Sequence, residues 1–203
     1  MTADQVLRPA VVPPSRFTQA TIGWQPWLEP VPLDEVTDSQ RDALVDAARV
    51  KSDYFRLLAH DPAILKARTL TDNDIFYNPD AGLPRGEREL AAAATSRFNG
   101  CIFCASVHSR FATHFLDDPS DVQPLLDEGV GAELSARHRA IVDAVVALTR
   151  TPVGFSTAHV AALGEAGLDD QSIADLIHAS AFFNWANRLM LSIGEPDATG
   201  VEL

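Results

Sequence analysis

Cysteine is nearly absent from this chain: 203 residues hold two, Cys101 and Cys104. A disulfide framework is thereby excluded, since this pair can close only one small ring. Basic residues are also few, 16 Lys and Arg against 28 Asp and Glu, and the formal net charge is −12. A surface of that sign repels phosphate backbones and anionic lipid, so no nucleic acid and no membrane surface is expected as a partner. Tyrosine occurs only twice, and alternating β-branched runs are missing. That leaves little material for a β-sandwich and points to an all-α fold built on alanine-rich helices. No apolar run approaches the roughly 18 residues of a membrane span. The opening Met1-Thr2-Ala3-Asp4-Gln5-Val6 has no basic stretch leading into an apolar core. A secretory signal is therefore not expected, and a cytoplasmic location is. In that reducing compartment a lone Cys-x-x-Cys points to redox or metal chemistry rather than to a structural staple.

Proline is distributed unevenly. Six of the 13 fall within residues 1–33, namely Pro9, Pro13, Pro14, Pro26, Pro30 and Pro32. Such a segment cannot be helical, so 1–33 is expected to be an extended arm. Trp24, Trp27 and Leu28 are too apolar for a free tail and are expected to pin the arm to the body or to a neighbouring subunit. Residues 34–195 then read as one helical domain, with 196–203 as a tail. Ser39 opens the first helical segment, and Asp61-Pro62 marks a cap and a first-turn proline. Asn78-Pro79-Asp80-Ala81-Gly82 is a loop. The segment from Arg85 to Phe98 is a strong helix closed by Asn99-Gly100, and the next helix opens at the cysteines and runs to about Leu116. Ser135, Ser156 and Asp169 head the later helices, the last extending to about Ile193.

The chemistry concentrates in Gly100-Cys101-Ile102-Phe103-Cys104-Ala105-Ser106-Val107-His108. Spacings of three and then four put Cys101, Cys104 and His108 on one helical face. Cys101 sits in the first turn, where free N–H groups and the helix dipole favour a thiolate. Cys104 gains instead from His108, a base and proton shuttle one turn on. One sulfur can attack a peroxide or a disulfide and the other can trap the product as a ring. Glu89, on the alanine-rich side of the preceding helix, is placed to orient His108 or to relay a proton through water. Glu87, two residues earlier, is expected to point away and be solvated.

The strings Pro84-Arg85-Gly86-Glu87-Arg88-Glu89-Leu90 and Asn99-Gly100-Cys101-Ile102-Phe103-Cys104-Ala105-Ser106-Val107-His108 resemble the AhpD-like alkylhydroperoxidase group of the carboxymuconolactone decarboxylase superfamily, and most of all its peroxidase-related branch. The resemblance is specific over residues 84–116. It implies an all-helical bundle assembling as a homo-oligomer, a trimer or hexamer, and a small organic hydroperoxide as substrate. It further implies Cys104 as the peroxidatic cysteine, Cys101 as the resolving thiol and proton donor, and His108 with Glu89 as the relay. Recycling would use a dithiol reductant, with no bound flavin, haem or other cofactor. Studied alkylhydroperoxidases carry a histidine between the cysteines where this chain has Ile102-Phe103, so the resemblance does not imply the same reductase partner. Members that decarboxylate the lactone lack the cysteine pair.

Other readings of the same residues are a dithiol–disulfide oxidoreductase with no peroxide substrate, a redox sensor, and a zinc site of Cys101, Cys104, His108 and Glu89. Three ligands along one helix fit tetrahedral zinc poorly. The remaining histidines offer less. His60 and His114 read as capping or surface residues, and His138, His159 and His178 have no recognisable partner. Phe182-Phe183-Asn184-Trp185-Ala186-Asn187-Arg188 reads as core plus subunit contact, with a wall of the substrate pocket as the alternative.

Overall fold

A computed structural model of the protein describes residues 11–80 and 82–202. Met1–Val6, Pro9 and Ala81, each part of an expectation above, lie outside the described residues. Nine α-helices occur among the described residues: α1 (Asp38–Ala43), α2 (Asp53–Leu58), α3 (Pro62–Tyr77), α4 (Arg85–Asn99), α5 (Ile102–Phe115), α6 (Val122–Asp127), α7 (Ala136–Thr149), α8 (Thr157–Glu165) and α9 (Asp170–Ile193). A 3-10 helix spans Ala47–Lys51. The fold is all-α, as the composition predicts.

Capping chemistry sets the boundaries. The Asp61 carboxylate accepts from the Ile64 N–H and Pro62 occupies the first turn, where its missing donor costs nothing. Asp169 accepts from the Ser172 N–H in the same way to start α9. The first helix begins one step earlier than Ser39 suggests, because Thr37 and Gln40 form a reciprocal capping box.

At the centre lies α4, packed against α5, α7 and α9. Eleven consecutive residues, Gly86 to Ser96, are buried. A helix buried all round must carry small or apolar side chains on every face, and Ala91–Ala94 meet that demand. On α5, Ala105, Ser109 and Ala112 turn an equally small face inward. The hydroxyls of Thr95 and Ser96 bond back to the Ala91 and Ala92 carbonyls, so they burden the core with no orphan donor.

Two glycines set the antiparallel α4–α5 hairpin. Gly100 closes α4 with φ 81°, a left-handed conformation that side chains resist, and leaves only Cys101 before α5 begins. At the far end a Cβ on Gly86 would lie 2.8 Å from the backbone of Phe115 and Leu116. These contacts hold the two helices in register along their length, which puts Glu89 opposite the cysteine helix. Burial of Leu90, Ile141 and Leu176 around them contributes about 1.5–3 kcal/mol each.

One feature departs from the sequence-based expectation of helices alone. The strands β1 (Gly23–Pro26) and β2 (Gly194–Asp197) pair antiparallel, Gly23 with Asp197 and Pro26 with Gly194. Segments of four residues containing Pro26 and Pro196 show no alternation, and the pairing joins opposite ends of the chain. A two-stranded ribbon is marginal alone. Here Trp24 is buried beside Tyr54, ring centroids 5.6 Å apart and edge to face, and Trp27 donates through Nε1 to Glu195 at 3.0 Å. Leu28, by contrast, is exposed. Further along the arm, the Gln19 and Ala20 carbonyls accept from Arg110 of α5.

Candidate active site

Cys101 is the N-cap residue of α5 and Cys104 lies in its first turn. Both are free thiols, both are buried, and their sulfurs are hydrogen-bonded at 2.8 Å. The two are driven apart electrostatically. A hydrogen bond from the Cys104 thiol lowers Cys101 below the ordinary thiol range against the opposing effect of burial. Burial, then the hydrogen bond and charge of Cys101, push Cys104 well above that range. Of the two thiols, Cys101 is therefore the readier to give up its proton and Cys104 the more reluctant.

Access runs the other way. Cys104, and not Cys101, lines a cavity of about 300 Å³. Its walls include His108, Glu89, Phe103 and Val107 from the α4–α5 hairpin, Arg68 and Phe76 from α3, Tyr54 from α2, and Phe183 and Met190 from α9. The sulfur that a small molecule meets is thus the one that burial holds to its proton. His108 lies in the same wall.

His108 Nδ1 lies 2.6 Å from Glu89 Oε2. Glu89 is 1% exposed, and its other oxygen accepts from Arg85 Nε at 3.2 Å. A carboxylate so held fixes the tautomer: with Nδ1–H donating to Glu89, Nε2 is left as the proton acceptor. The ring is clamped against Phe183, centroids 4.1 Å apart, and against Phe76 at 5.3 Å. No direct hydrogen bond joins His108 to either sulfur among the described residues, so a proton passing between them needs a bridging water or the substrate.

Asn187 is the residue that the sequence reading missed. It lies in the run assigned to core and subunit contact, yet it is fully buried and its side chain reaches both sulfurs, favouring the ionised form of each. Its Nδ2 donates to Ser96 Oγ at 3.0 Å and its Oδ1 accepts from Asn99 at 3.1 Å. The available signal was a polar stripe, Ser180, Asn184 and Asn187, at helical spacing along an otherwise apolar segment; a buried amide is informative where a buried leucine is not. Arg68 was missed as well. Its guanidinium lines the cavity, and its charge reaches Cys104, where it favours the thiolate.

Two expectations need correction. Glu87 is not solvated: it is buried, and Arg137 of α7 donates to both of its oxygens, Nη2 to Oε2 at 2.9 Å. All faces of α4 are covered, so its charges must be paired rather than hydrated. His138 does have a partner, since its Nδ1 lies 2.7 Å from Asp121 Oδ2. Ser135 donates to that same oxygen at 2.6 Å, so serine and imidazole share the carboxylate and do not form a nucleophile–base pair. His178 lines a separate surface cavity with Asp74, Arg88 and Asp175. Nowhere among the described residues do three or more His, Cys, Asp or Glu side chains converge in a way that would hold a metal ion. None of the described helices is long and apolar enough to cross a membrane.

Comparison with known proteins supports the fold. The model of the carboxymuconolactone decarboxylase family matches residues 62–130, which run from α3 to just beyond α6 and carry both cysteines, His108, Glu89 and Arg68. A peroxidase-related protein from Ralstonia eutropha JMP134, described as an alkylhydroperoxidase AhpD core, superimposes with a TM-score of 0.68 at 27% identity, over 81% of this chain and 88% of that one. A peroxidase-related protein from Silicibacter sp. TM1040 gives 0.68 at 25% identity over 84% and 93%. The debrominase Bmp8 shares the fold, with a TM-score of 0.60 at 16% identity over 81% and 88%. No curated protein matches the sequence. Over residues 62–130 the chain is similar to the carboxymuconolactone decarboxylase family, and its fold is that of the AhpD-like, peroxidase-related structures.

Proposed function

We propose that this protein is a thiol-dependent peroxidase that reduces small organic hydroperoxides through a Cys104 sulfenic acid and a Cys101–Cys104 disulfide. One observation carries the reading: of two thiols in hydrogen-bond contact, only the one facing the cavity shares it with an imidazole held by a buried carboxylate.

The steps follow from the positions. Cys104 gives its proton to Nε2 of His108 through a bridging water, and Glu89 stabilises the imidazolium. The Cys104 thiolate attacks the terminal peroxide oxygen; an S–O bond forms, the O–O bond breaks, and the departing alkoxide takes the proton from His108 as an alcohol. The Cys101 thiolate then attacks the Cys104 sulfur. An S–S bond forms and hydroxide leaves, taking up the proton that the Cys101 thiol gave up and so becoming water. Two thiols have been oxidised and one hydroperoxide reduced. An external dithiol returns the pair to its starting state by exchange. The depressed Cys101 thiol also suits attack on a disulfide, and this supports the second reading, a dithiol–disulfide oxidoreductase in a reducing compartment. Phe98, Phe111, Phe115 and Trp185 stay more than a third exposed, which supports assembly with further copies of the chain.

Free-thiol counting separates these readings. Reduced protein mixed with one equivalent of cumene hydroperoxide is expected to lose both thiols far faster than glutathione under the same conditions. Loss no faster than glutathione, together with rapid reaction with a small disulfide, would replace the first reading by the second.

A further inference from the structure

Arg68, Arg49 and Tyr54 line the cysteine cavity, Arg68 lies beside the Tyr54 hydroxyl, and each residue keeps a buried polar atom (Arg68 Nε, Arg49 Nη1, Tyr54 Oη) with no geometric hydrogen-bond partner among the described residues. Orphaned buried donors are costly, and of the seven such atoms among the described residues three belong to residues of this one cavity. The rest of each group is well anchored. Arg68 Nη1 donates to Asp72 at 3.2 Å, and Arg49 Nη2 donates to Asn73 at 3.2 Å and lies 3.8 Å from Asp72. Two guanidiniums thus share a single carboxylate, which leaves this corner one positive charge in excess. On the other side of the same cavity Glu89 is already paired with Arg85 and His108, so its charge is spent locally.

Burial pushes the Tyr54 hydroxyl up to about 12, so it keeps its proton and can only gain by donating it. Two cationic forks and a phenol, all donors, match an oxyanion and most closely the planar geometry of a carboxylate. Next to them the wall is apolar, with Phe103, Phe183 and Met190. A volume of about 300 Å³ is at the small end of ligand cavities.

We propose that Arg68, Arg49 and Tyr54 form a carboxylate-binding subsite, so that the cavity takes a small amphipathic acid whose apolar body covers Phe103 and Phe183 and whose reacting group meets Cys104. The substrate class this adds, an acid hydroperoxide, rests on the peroxidase reading; the subsite itself does not.

Binding without turnover tests it. In calorimetric titrations of the reduced protein, para-isopropylbenzoate is expected to bind at least about tenfold more tightly than the isosteric para-isopropylbenzamide, the lower range for charge-assisted hydrogen bonds. Arg68→Gln should bring the two within about twofold. Should that buried change impair folding, Tyr54→Phe, which removes one oxygen, should narrow the ratio about threefold. Equal affinity for acid and amide, or a preference that survives Arg68→Gln, overturns the subsite. Acid preference in a protein that leaves the side-chain hydroperoxide of para-isopropylbenzoate unconsumed sustains the subsite and removes the peroxidase reading. Consumption of that hydroperoxide without acid preference does the reverse.

Discussion

This fold holds two carboxylate–imidazole pairs of nearly equal geometry, Glu89–His108 at 2.6 Å and Asp121–His138 at 2.7 Å. Only their surroundings differ. Glu89 and His108 face a cavity that also exposes a sulfur, and the second oxygen of Glu89 is held by Arg85. Asp121 spends one oxygen on three donors, the Ser135 N–H, the Ser135 hydroxyl and His138, and so ties the start of α7 to the residue before α6. One pair can move a proton to a reacting atom; the other is a structural clasp. A histidine–carboxylate contact identifies chemistry only when something reactive can be reached from it.

The largest effects should fall on the sulfurs that give the first pair its purpose. Cys104→Ser is expected to reduce peroxide consumption by about a thousandfold or more in a steady-state assay, since no other group in the cavity can replace the nucleophile. Cys101→Ser should still consume one equivalent and then stop, with the sulfenic acid trapped by dimedone. Complete loss of reactivity in Cys101→Ser would exchange the two roles, as the lowered Cys101 thiol allows.

Next come the acids. Glu89→Gln should slow thiol oxidation at neutral pH by about 10²-fold, a usual size for a lost acid–base partner, and should shift the pH–rate profile. Asp121→Asn should leave the oxidation rate unchanged and lower unfolding free energy in urea by about 1–3 kcal/mol, the cost of weakening a buried acceptor. If Asp121→Asn slows oxidation as much as Glu89→Gln does, the contrast between the pairs is broken.

The smallest effect concerns pH. Burial raises the Asp121 carboxyl, but the hydrogen bonds from Ser135 and His138 outweigh it and hold the group below the ordinary carboxylate range. A carboxyl depressed on folding stabilises above its unfolded value of about 3.9 and loses that contribution as pH falls through the lower, folded value. The stability deficit of Asp121→Asn should therefore persist at pH 5 and shrink below about pH 4. A deficit that vanishes already at pH 5 would mean that Asp121 is not depressed.

Much of this was legible beforehand where one local pattern decides the outcome. Asp61 and Asp169 cap their own helices, Gly100 closes α4, and Ser135 and Ser156 take N-cap positions, so the helix boundaries were readable. Cys101, Cys104 and His108 sit on one helical face by spacing alone. Glu89 could be placed because the Asn99-Gly100 link is short and this residue lies on the alanine-rich side of its helix. What stayed hidden depends on partners distant in sequence. Glu87 looks like any exposed glutamate until α7 brings Arg137 to it, and Arg68 and Asn187 reach the thiols only once α3 and α9 pack around α4. The ribbon of Gly23–Pro26 with Gly194–Asp197 has no pattern of its own to read.

The most direct test of the central claim is the intact mass of the reduced protein after one equivalent of cumene hydroperoxide, taken alongside Cys101→Ser. The account predicts that the wild-type chain loses two hydrogens as the ring closes, while the variant gains one oxygen on Cys104. Unchanged masses in both, under conditions that oxidise a free thiol control, would contradict it.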